Sequence, residues 1–496
     1  MNSKIATTRR RFMTSILGAG ALGLANPLSL LAASGSAISA DKFSQLSQAL
    51  DGTLIVPSTP AYEGARRTFS FNPKYNRYPA LIAKCASESD VVRALGFARE
   101  NDLPIAVKSG GHDVLSASTV DNGLVIDLQQ LSKIDINNTT ARVGPGVLAG
   151  QLDYSLGETG RALPLTCNPS VGVGGLTLGG GLGWFIGTQG AACDKLKSAR
   201  LVTVDGQILT ASSSENEDLF WAIRGGGGNF GIVTELEFDT FEKPELVAGV
   251  IAYDASLLKD FLSFYRDFMA SAPDELTVEV IASGGQTPVI GAMVFYSGNE
   301  RDAERVLTPL RSFGPPLADG IRKQDYGKVG AMAPSVNQFF APANIDIAGE
   351  EKEPGLYWKG ASVSSLSDPV IDNIAKAIDA GPEGWAFGLG HIMRGAVTRV
   401  EPGSTPLKRP LHSTTVHFDI GWSHKSQAAD RMRWVDESTS ALSVNPSEHD
   451  YINYMSSDNP DHIKAAYGDS FERLATIKRR YDPENLLSRN RNISPS

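Results

Sequence analysis

The segment from Leu163 to Trp184, LPLTCNPSVGVGGLTLGGGLGW, constrains the fold more than any other part of the chain. Glycine at this density is unfavourable inside an ordinary helix or strand, because each glycine loses conformational entropy and packs poorly there. A flexible linker is the alternative, but linkers are polar and rich in serine, whereas valine and leucine separate these glycines. The segment therefore predicts a buried loop whose backbone faces a flat ligand.

A second motif, KSGGHD at residues 108–113, directly follows the apolar stretch LPIAV. Together with PALIAKCA and a helix beginning near Ser87 or Ser89, LPIAV predicts a unit of strand, helix and strand that ends on this motif. Glycines at a strand end let backbone N–H groups approach an anion. The motif thus places His112 beside a bound phosphate compound, and a tight turn with an exposed histidine is the alternative.

A third glycine run, residues 226–231, satisfies the GxGxxG pattern of dinucleotide-binding folds. The helix-like stretch DLFWAIR precedes these glycines and the strand-like stretch IVTELEF follows them. The dinucleotide fingerprint requires the opposite order, with the strand first and the helix second. The order of elements therefore excludes a nicotinamide-type site at this run.

Length and composition indicate a globular protein of two or three domains, with 496 residues of which 42% are hydrophobic and 20% are charged. The net charge of -9 argues against a broad nucleic-acid-binding surface, so the expected partner is a small molecule. Between residues 246 and 445, alternating runs such as LTVEVIAS and STTVHFDIGW are separated by helix-like stretches. This pattern predicts an α+β domain built on an antiparallel sheet. A further helix is predicted from Phe471 to Arg480.

The cysteines and histidines do not by themselves predict a metal site. The three cysteines are too few for a disulfide framework, although one bridge is possible, and their spacing suits no zinc site. Four histidines fall between residues 391 and 424, and no carboxylate or cysteine cluster accompanies them in the sequence, so packing or substrate contact is favoured. The cysteines are Cys85, Cys167 and Cys193, and the histidines are His391, His412, His417 and His424.

The N-terminal stretch TRRRFM at residues 8–13 precedes a mildly apolar run that is rich in glycine and alanine. An arginine pair in this context resembles a bacterial twin-arginine signal, which exports folded proteins through dedicated machinery. An uncleaved membrane anchor is the alternative, but Pro27 and the short apolar length argue against a spanning helix. We therefore expect a periplasmic or secreted protein that receives its cofactor before export and has no stable membrane insertion.

Several motifs, in the same order along almost the whole mature chain, point to one family. They are IAVKSGGHD, GLVIDLQQL, PSVGVGGLTLGGGLGW, LVTVDGQI with ENEDLFWAIRGGGGNFGIV, and the terminal YINY with RLATIKRRYDPENLL. In this combination the chain resembles the vanillyl-alcohol-oxidase (PCMH) type of FAD-dependent oxidoreductases, in the berberine-bridge-enzyme-like branch.

The resemblance implies an α+β fold with a divided FAD-binding domain and an inserted substrate-binding domain of antiparallel sheet. The expected divisions are a signal segment at residues 1–40, an FAD-binding domain at 41–245 with its core at about 75–245, a substrate-binding domain at 246–445, and a C-terminal segment at 446–496 that returns to the FAD-binding domain.

The family's cofactor contacts also transfer to numbered positions of this chain. The resemblance implies that His112 is bonded covalently to the 8-methyl carbon of the flavin, while backbone N–H groups beside it hold the pyrophosphate. Val171 is expected to border the oxygen path. The remaining contacts expected with FAD are those of Ser109, Gly110, Gly111, Cys167, Val171, Gly172, Gly174, Gly175, Leu176, Gly180, Gly228, Gly231, Ile232, Val233, Tyr451 and Asn453.

Some members of the family carry a second bond, from a cysteine to flavin C6, in a Cys-Pro-x-x-Gly segment. Here Cys167 lies five residues before Gly172, one residue farther than in that pattern, and Asn168 takes the place of the proline. A bulged loop could still bring the sulfur to C6. The alternative is a buried free thiol.

The resemblance also implies an oxidase mechanism, in which a hydride leaves a C–H beside a hydroxyl or amine and O2 is reduced to H2O2. Tyr454 is the expected base, with Tyr451 and Asn453 lining the site. Because an unperturbed tyrosine has a pKa of about 10, we expect a lysine or arginine of the substrate domain to favour its phenolate. The alternative for the tyrosine pair is packing at the domain junction.

Three functional interpretations remain open from the sequence. The first is an FAD-linked oxidase of a sugar, an alkaloid or an aromatic alcohol. The second is a dehydrogenase of the same fold that passes electrons to an acceptor other than O2. The third is a flavin-carrying binding protein without turnover. The substrate, the electron acceptor and the oligomeric state are left undetermined.

Overall fold

The computed structural model describes residues 39–70, 73–285, 288–332, 355–442 and 450–495. The predicted signal segment therefore lies outside the described residues, apart from its last two positions. The strands are β1 Thr53–Ile55, β2 Leu81–Lys84, β3 Ile105–Lys108, β4 Leu124–Asp127, β5 Ile134–Ile136, β6 Thr140–Val143, β7 Arg161–Ala162, β8 Leu196–Val202, β9 Ile208–Ser212, β10 Ile232–Asp239, β11 Phe241–Glu242, β12 Leu246–Asp254, β13 Leu276–Ser283, β14 Val289–Ser297, β15 Ala318–Asp319, β16 Arg322–Gln324, β17 Gly355–Val363, β18 Trp385–Leu389 and β19 Thr414–Trp422.

Helices of the described residues range from single turns to an 18-residue helix. They are α1 Ala40–Ala49, α2 Tyr62–Arg66, α3 Glu88–Glu100, α4 Ala149–Glu158, α5 Val173–Leu178, α6 Ile186–Gln189, α7 Glu217–Ala222, α8 Leu258–Ser271, α9 Glu300–Arg311, α10 Asp368–Asp379, α11 Lys425–Leu442, α12 Pro460–Tyr467 and α13 Phe471–Tyr481. None of these helices is long and apolar enough to cross a membrane.

The first sheet contains the predicted unit of strand, helix and strand. Its strand order is β1-β2-β4-β3, and β2 and β3 both pair with β4 in parallel. Helix α3 connects β2 to β3, and the side chain of Ser87 caps it by accepting a hydrogen bond from the Asp90 N–H at 3.2 Å. The motif KSGGHD therefore leaves the sheet at the carboxyl end of β3, as predicted.

The second sheet is antiparallel, with the order β5-β6-β10-β8-β9. The third glycine run lies between α7 and β10, so a helix precedes it and a strand follows it. This observation confirms the order that excludes a nicotinamide-type site.

The third sheet is the eight-stranded antiparallel sheet expected for the substrate side. Its order is β15-β12-β14-β13-β18-β19-β17, with β16 also paired to β12, and all its strands lie between Leu246 and Trp422. One face packs against α8, α10 and α11 in a single apolar core. Because side chains alternate along a strand, the opposite face is left to line a cavity.

The C-terminal helix α13 packs in the same core as the glycine-rich segment and the second sheet. Its Lys478 is completely buried, pairs with Asp482 at 2.6 Å, and donates a hydrogen bond to the Asn229 carbonyl at 2.9 Å. The last segment thus contacts the third glycine run directly. The α+β class with antiparallel sheets is confirmed, while the exact domain boundaries stay a prediction.

Candidate functional site

A cavity of about 390 Å³ lies between the glycine-rich segments and the eight-stranded sheet. We call its first side the glycine wall, formed by the cavity-lining residues within 109–111, 171–176 and 227–233. We call its second side the sheet wall, formed by cavity-facing residues of β13, β14, β17, β18 and β19. Residues 451–454 and 487–491 close the gap between the two walls.

The cavity brings together the residues expected from the sequence, with one exception. Gly180 does not line the cavity. Its φ of +121° requires glycine, and a Cβ there would lie 3.0 Å from Leu407, so Gly180 serves packing. The expected residues that line the cavity are Ser109, Gly110, Gly111, His112, Cys167, Val171, Gly172, Gly174, Gly175, Leu176, Gly228, Gly231, Ile232, Val233, Tyr451, Asn453 and Tyr454.

The glycine wall is held by close contacts between backbones. A Cβ on Gly110 would lie 2.3 Å from the Gly172 nitrogen, so these two chain segments can cross only without side chains. The Ser109 hydroxyl donates a hydrogen bond to the Pro145 carbonyl at 2.5 Å and fixes the first loop. By contrast, a Cβ on Gly175 or Gly228 would meet nothing within 4 Å. These two glycines face open space in the cavity.

One expectation about the glycine-rich segment is wrong. It is not a loop throughout, because residues Val173–Leu178 form the short helix α5, with Gly172 as its N-cap residue. Gly174 lies inside this helix, and a Cβ there would be 2.8 Å from Pro145 Cβ. Close packing against residue 145, rather than an irregular backbone, therefore accounts for this glycine.

His112 lies in the cavity with its ring fixed from two sides. Its Nε2 is 2.9 Å from Ser170 Oγ, and its ring stacks on Phe69 with 4.0 Å between centroids. Burial lowers the pKa of His112 from 6.5 to about 4. The imidazole is therefore neutral at neutral pH and retains a nucleophilic lone pair.

Cys167 belongs to a cluster that the sequence did not indicate. Its Sγ is 3.1 Å from His391 Nε2, and His391 Nδ1 is 2.8 Å from Glu279 Oε1. Burial, reinforced by the charge of Glu279, raises the pKa of the Cys167 thiol well above its ordinary value. The fold thus gives His391 the carboxylate and cysteine neighbours that the sequence analysis found missing. Cys85 and Cys193 are buried elsewhere, and all three cysteines are free thiols.

Tyr451 supports the glycine wall. Its hydroxyl accepts hydrogen bonds from the Gly181 N–H and from Asn453 Nδ2, both at 2.9 Å. Asn453 Nδ2 also donates to the Leu176 carbonyl at 3.1 Å. These bonds connect the YINY motif to the glycine-rich segment and fix both beside the cavity.

Tyr454 lines the cavity in surroundings that keep its hydroxyl protonated. Burial raises its pKa well above 10, and the nearby acidic groups of Glu279, Cys167 and Tyr451 raise it further. The ring lies 5.4 Å from that of Tyr451 and 6.0 Å from that of Trp358, measured between centroids. The groups acting on its pKa are thus acidic, not the lysine or arginine that the sequence analysis expected.

The sheet wall carries a histidine and aspartate pair beside Trp358. His417 Nδ1 is 2.8 Å from Asp419 Oδ2, and the His417 ring lies 5.2 Å from that of Trp358. The pKa of Asp419 is raised, because the effect of burial exceeds the lowering effect of the nearby His417. Sequence analysis considered His417 but missed Asp419. The spacing of two residues between His417 and Asp419, which puts both on one face of a strand, was the available signal.

Several features of the cavity fit FAD. Within the described residues, three buried polar atoms that belong to cavity-lining side chains have no hydrogen-bond partner: Ser118 Oγ, Arg489 Nε and Asn490 Oδ1. Such atoms normally have partners, so their position indicates a polar ligand. The open faces of Gly175 and Gly228 offer backbone surface for the same ligand. Arg491 Nη1 pairs with Asp113 Oδ2 at 2.8 Å and attaches the C-terminal part to the KSGGHD loop.

Comparisons with known proteins agree with this assignment. Residues 79–212 match the FAD binding domain, and residues 450–494 match the family described as berberine and berberine like. The chain is 29% identical over 466 residues to (R)-6-hydroxynicotine oxidase of Paenarthrobacter nicotinovorans, which covers 90% of this chain and 97% of that protein. It is 30% identical over 461 residues to the FAD-linked oxidoreductase dpmaF of Metarhizium anisopliae, with 88% of each chain covered.

The crystal structure of 6-hydroxy-D-nicotine oxidase from Arthrobacter nicotinovorans superposes with a TM-score of 0.79 at 28% identity, covering 90% of this chain and 98% of that one. Fold, site and comparisons define a flavin-dependent oxidoreductase. The chain belongs to the PCMH-type FAD-linked oxidoreductases, in the berberine-bridge-enzyme-like branch. The family predicted from the sequence is thereby confirmed.

Proposed function

We propose that the protein is an FAD-dependent oxidase that removes a hydride from a C–H next to a hydroxyl or amine and passes the electrons to O2, giving H2O2. One observation carries this proposal: the cavity has a backbone wall that suits a flat cofactor and, opposite it, a wall with proton-transfer groups. When bound, FAD supplies the hydride acceptor. The residues of the chain orient the substrate and move the proton.

Covalent attachment of the cofactor at His112 forms part of the proposal. Support comes from the neutral imidazole, whose pKa of about 4 leaves a nucleophilic nitrogen at neutral pH. Ser170 and Phe69 hold the ring in one orientation. This fixed orientation lowers the entropic cost of bringing the nitrogen to the reacting carbon. A second attachment at Cys167 is not part of this proposal. The raised pKa keeps its thiol protonated, and the thiol is hydrogen-bonded to His391.

We assign proton acceptance to His417, with Asp419 orienting its ring through Nδ1. A carboxylate at this nitrogen fixes the tautomer and stabilises the charge that the ring gains. Tyr454, the base expected from the sequence, has a raised pKa and is better suited to donate a hydrogen bond to the substrate. The catalytic base in this proposal is therefore a histidine, and Tyr454 binds the reacting oxygen or nitrogen.

For the substrate we propose a compact aromatic or heterocyclic alcohol or amine. The sheet wall offers apolar side chains from four strands and the indole of Trp358, and such a surface suits a flat apolar molecule better than an extended sugar chain. The apolar residues are Ile281, Met293, Leu356 and Leu389. The similarity to (R)-6-hydroxynicotine oxidase points in the same direction.

We also propose export through the twin-arginine route, on the basis of Arg9, Arg10 and Arg11 before a weakly apolar segment. The test is fractionation of a bacterial host that expresses either the natural chain or the double variant Arg9→Lys with Arg10→Lys. Export predicts flavoprotein in the periplasm for the natural chain and in the cytoplasm for the variant. Equal distribution of the two would contradict it.

The main test combines three measurements on the purified flavoprotein. Acid precipitation followed by peptide mass analysis reports whether flavin is bonded to the His112 peptide. Anaerobic mixing with a panel of aromatic alcohols, cyclic amines and oligosaccharides reports which compounds bleach the flavin. Peroxide is then measured per substrate consumed in air. One peroxide per substrate supports an oxidase, whereas turnover only with an artificial acceptor supports a dehydrogenase, and no bleaching by any compound argues against catalysis.

A further inference from the structure

The cluster of Cys167, Glu279 and His391 supplies no reacting group in the proposed reaction. Cys167 comes from the glycine-rich segment, Glu279 from β13, and His391 from the turn just after β18. Each residue offers one ligand atom, and the three atoms lie within 4.8 Å of one another. We propose that these side chains bind a divalent zinc-type cation.

The distances within the cluster suit a tetrahedral ion. With Zn–S near 2.3 Å and Zn–N near 2.0 Å, tetrahedral coordination puts the two ligand atoms roughly 3.5 Å apart. Cys167 Sγ and His391 Nε2 are 3.1 Å apart, so a small side-chain adjustment admits the ion. Glu279 Oε1 lies 2.8 Å from the other ring nitrogen, and its carboxylate is close enough to the cluster to provide the third ligand.

The polar atoms of this cluster are incompletely satisfied. The His391 side chain is 1% exposed, and its Nδ1 lies close to Glu279 without hydrogen-bond geometry and has no hydrogen-bond partner within the described residues. Glu279 is itself only 12% exposed. A carboxylate in such a position requires a compensating charge. A divalent cation provides it, while the thiol proton leaves to solvent and the resulting thiolate cancels the second charge.

The proposed ion would also have one coordination position open to the cavity. Cys167 and Glu279 line the cavity, whereas His391 lies behind them. Three protein ligands and one open position are typical of zinc sites that exchange a ligand. The proposed site is built from these three side chains alone. The inference therefore goes beyond the proposed reaction and does not depend on it.

The experiment is titration of the purified, flavin-loaded protein with zinc alone, followed by calorimetry, and with cobalt(II), followed by absorption. We expect one bound ion, release of about one proton, and tetrahedral cobalt bands to the red of the flavin spectrum. Cys167→Ser and His391→Asn should abolish binding, and Glu279→Gln should weaken it roughly 10- to 100-fold. The matched control is Cys85→Ser, another buried thiol, which should bind zinc like the natural chain.

Three results would overturn the inference. They are the absence of a bound ion, unchanged binding in Cys167→Ser, and cobalt bands of an octahedral site without a thiolate. Peptide mass analysis adds a fourth, because flavin bonded to Cys167 would remove the thiolate. The cobalt spectrum is read on the natural chain, so a variant that does not fold leaves the test intact. Since no readout needs turnover, a protein inactive on every compound can still support the metal site.

Discussion

The glycine wall and the sheet wall enclose one cavity but are built in opposite ways. The glycine wall presents backbone, and its shape depends on missing side chains, as where Gly110 and Gly172 cross. The sheet wall presents side chains on regular strands. Its chemistry depends on the strand register, which decides which residues are neighbours, as where Trp358 lies opposite Asp419. A cofactor shared by a family can be bound by the first kind of wall, while the second kind can change with the substrate.

The most damaging substitution is expected where two backbones touch. In Gly110→Val the new Cβ would lie 2.3 Å from the Gly172 nitrogen, and neither backbone can move away cheaply. We expect a loss above about 4 kcal/mol in folding free energy and no flavin-loaded protein. Yield, circular dichroism and flavin content measure this.

Gly175→Ala is the matched control on the same wall, because its Cβ would enter open space. It should fold normally and retain less flavin. If both variants folded and bound flavin equally, the glycine wall would not depend on the absence of side chains.

On the sheet wall we expect large kinetic effects without loss of the fold. His417→Asn should lower kcat/KM roughly 10²- to 10⁴-fold, because the proton acceptor is removed. Asp419→Asn should have a smaller effect in the same direction, through the orientation of the ring. Steady-state kinetics with the substrate found by anaerobic bleaching would measure both.

Tyr454→Phe is the comparison variant, and the loss of one hydrogen bond should cost roughly tenfold or less in kcat/KM. The reverse ranking, with Tyr454→Phe far more damaging than His417→Asn, would return the role of base to the tyrosine.

His112→Ala should release the cofactor on acid treatment while leaving the protein folded. We expect turnover to fall only about tenfold, which corresponds to about 1.4 kcal/mol in the activation free energy. The loss is limited because the cavity still holds flavin without the bond. The control is Ser170→Ala, which removes the partner of Nε2 but not the nucleophile. It should acquire covalent flavin more slowly and reach the same final level. Acid-stable flavin in His112→Ala would place the attachment elsewhere.

The smallest expected effect concerns the contact between helix α4 and Tyr326, which lies in the part of the chain between β16 and β17. Asp153 of α4 is hydrogen-bonded to the Tyr326 hydroxyl, and burial raises its pKa from 3.8 to about 7. The folded protein therefore binds this proton more tightly than the unfolded chain, so the stabilisation present below pH 3.8 is lost as pH rises through 7.

Relative to Asp153→Asn, the natural chain should lose roughly 2–4 °C of Tm between about pH 5 and pH 8. Melting curves of the two proteins at matched ionic strength give the difference. Parallel curves across this range would show that the carboxyl is already ionised in the fold.

The sequence predicted the glycine wall because its constraints are local. Gly110 and Gly172 lie in short motifs, and the sequence shows directly where a residue has no side chain. Cys167, Glu279 and His391 come together only because the sheet pairs β13 with β18 and places both against the glycine-rich segment. No local pattern contains that pairing. The helix α5 was missed for a different reason. The sequence analysis relied on glycine's poor helix propensity, whereas close packing at Gly174 favours glycine inside this helix.

The ion pair between Asp113 and Arg491 has a consequence for how the protein is made. The two residues are separated by 378 positions, yet both belong to the lining of one cavity. During synthesis the KSGGHD loop leaves the ribosome long before its partner, so the cofactor site stays unfinished while the intervening sheet is translated and folded. We therefore expect flavin to bind after that folding, and a chain truncated before residue 491 to lack flavin absorbance.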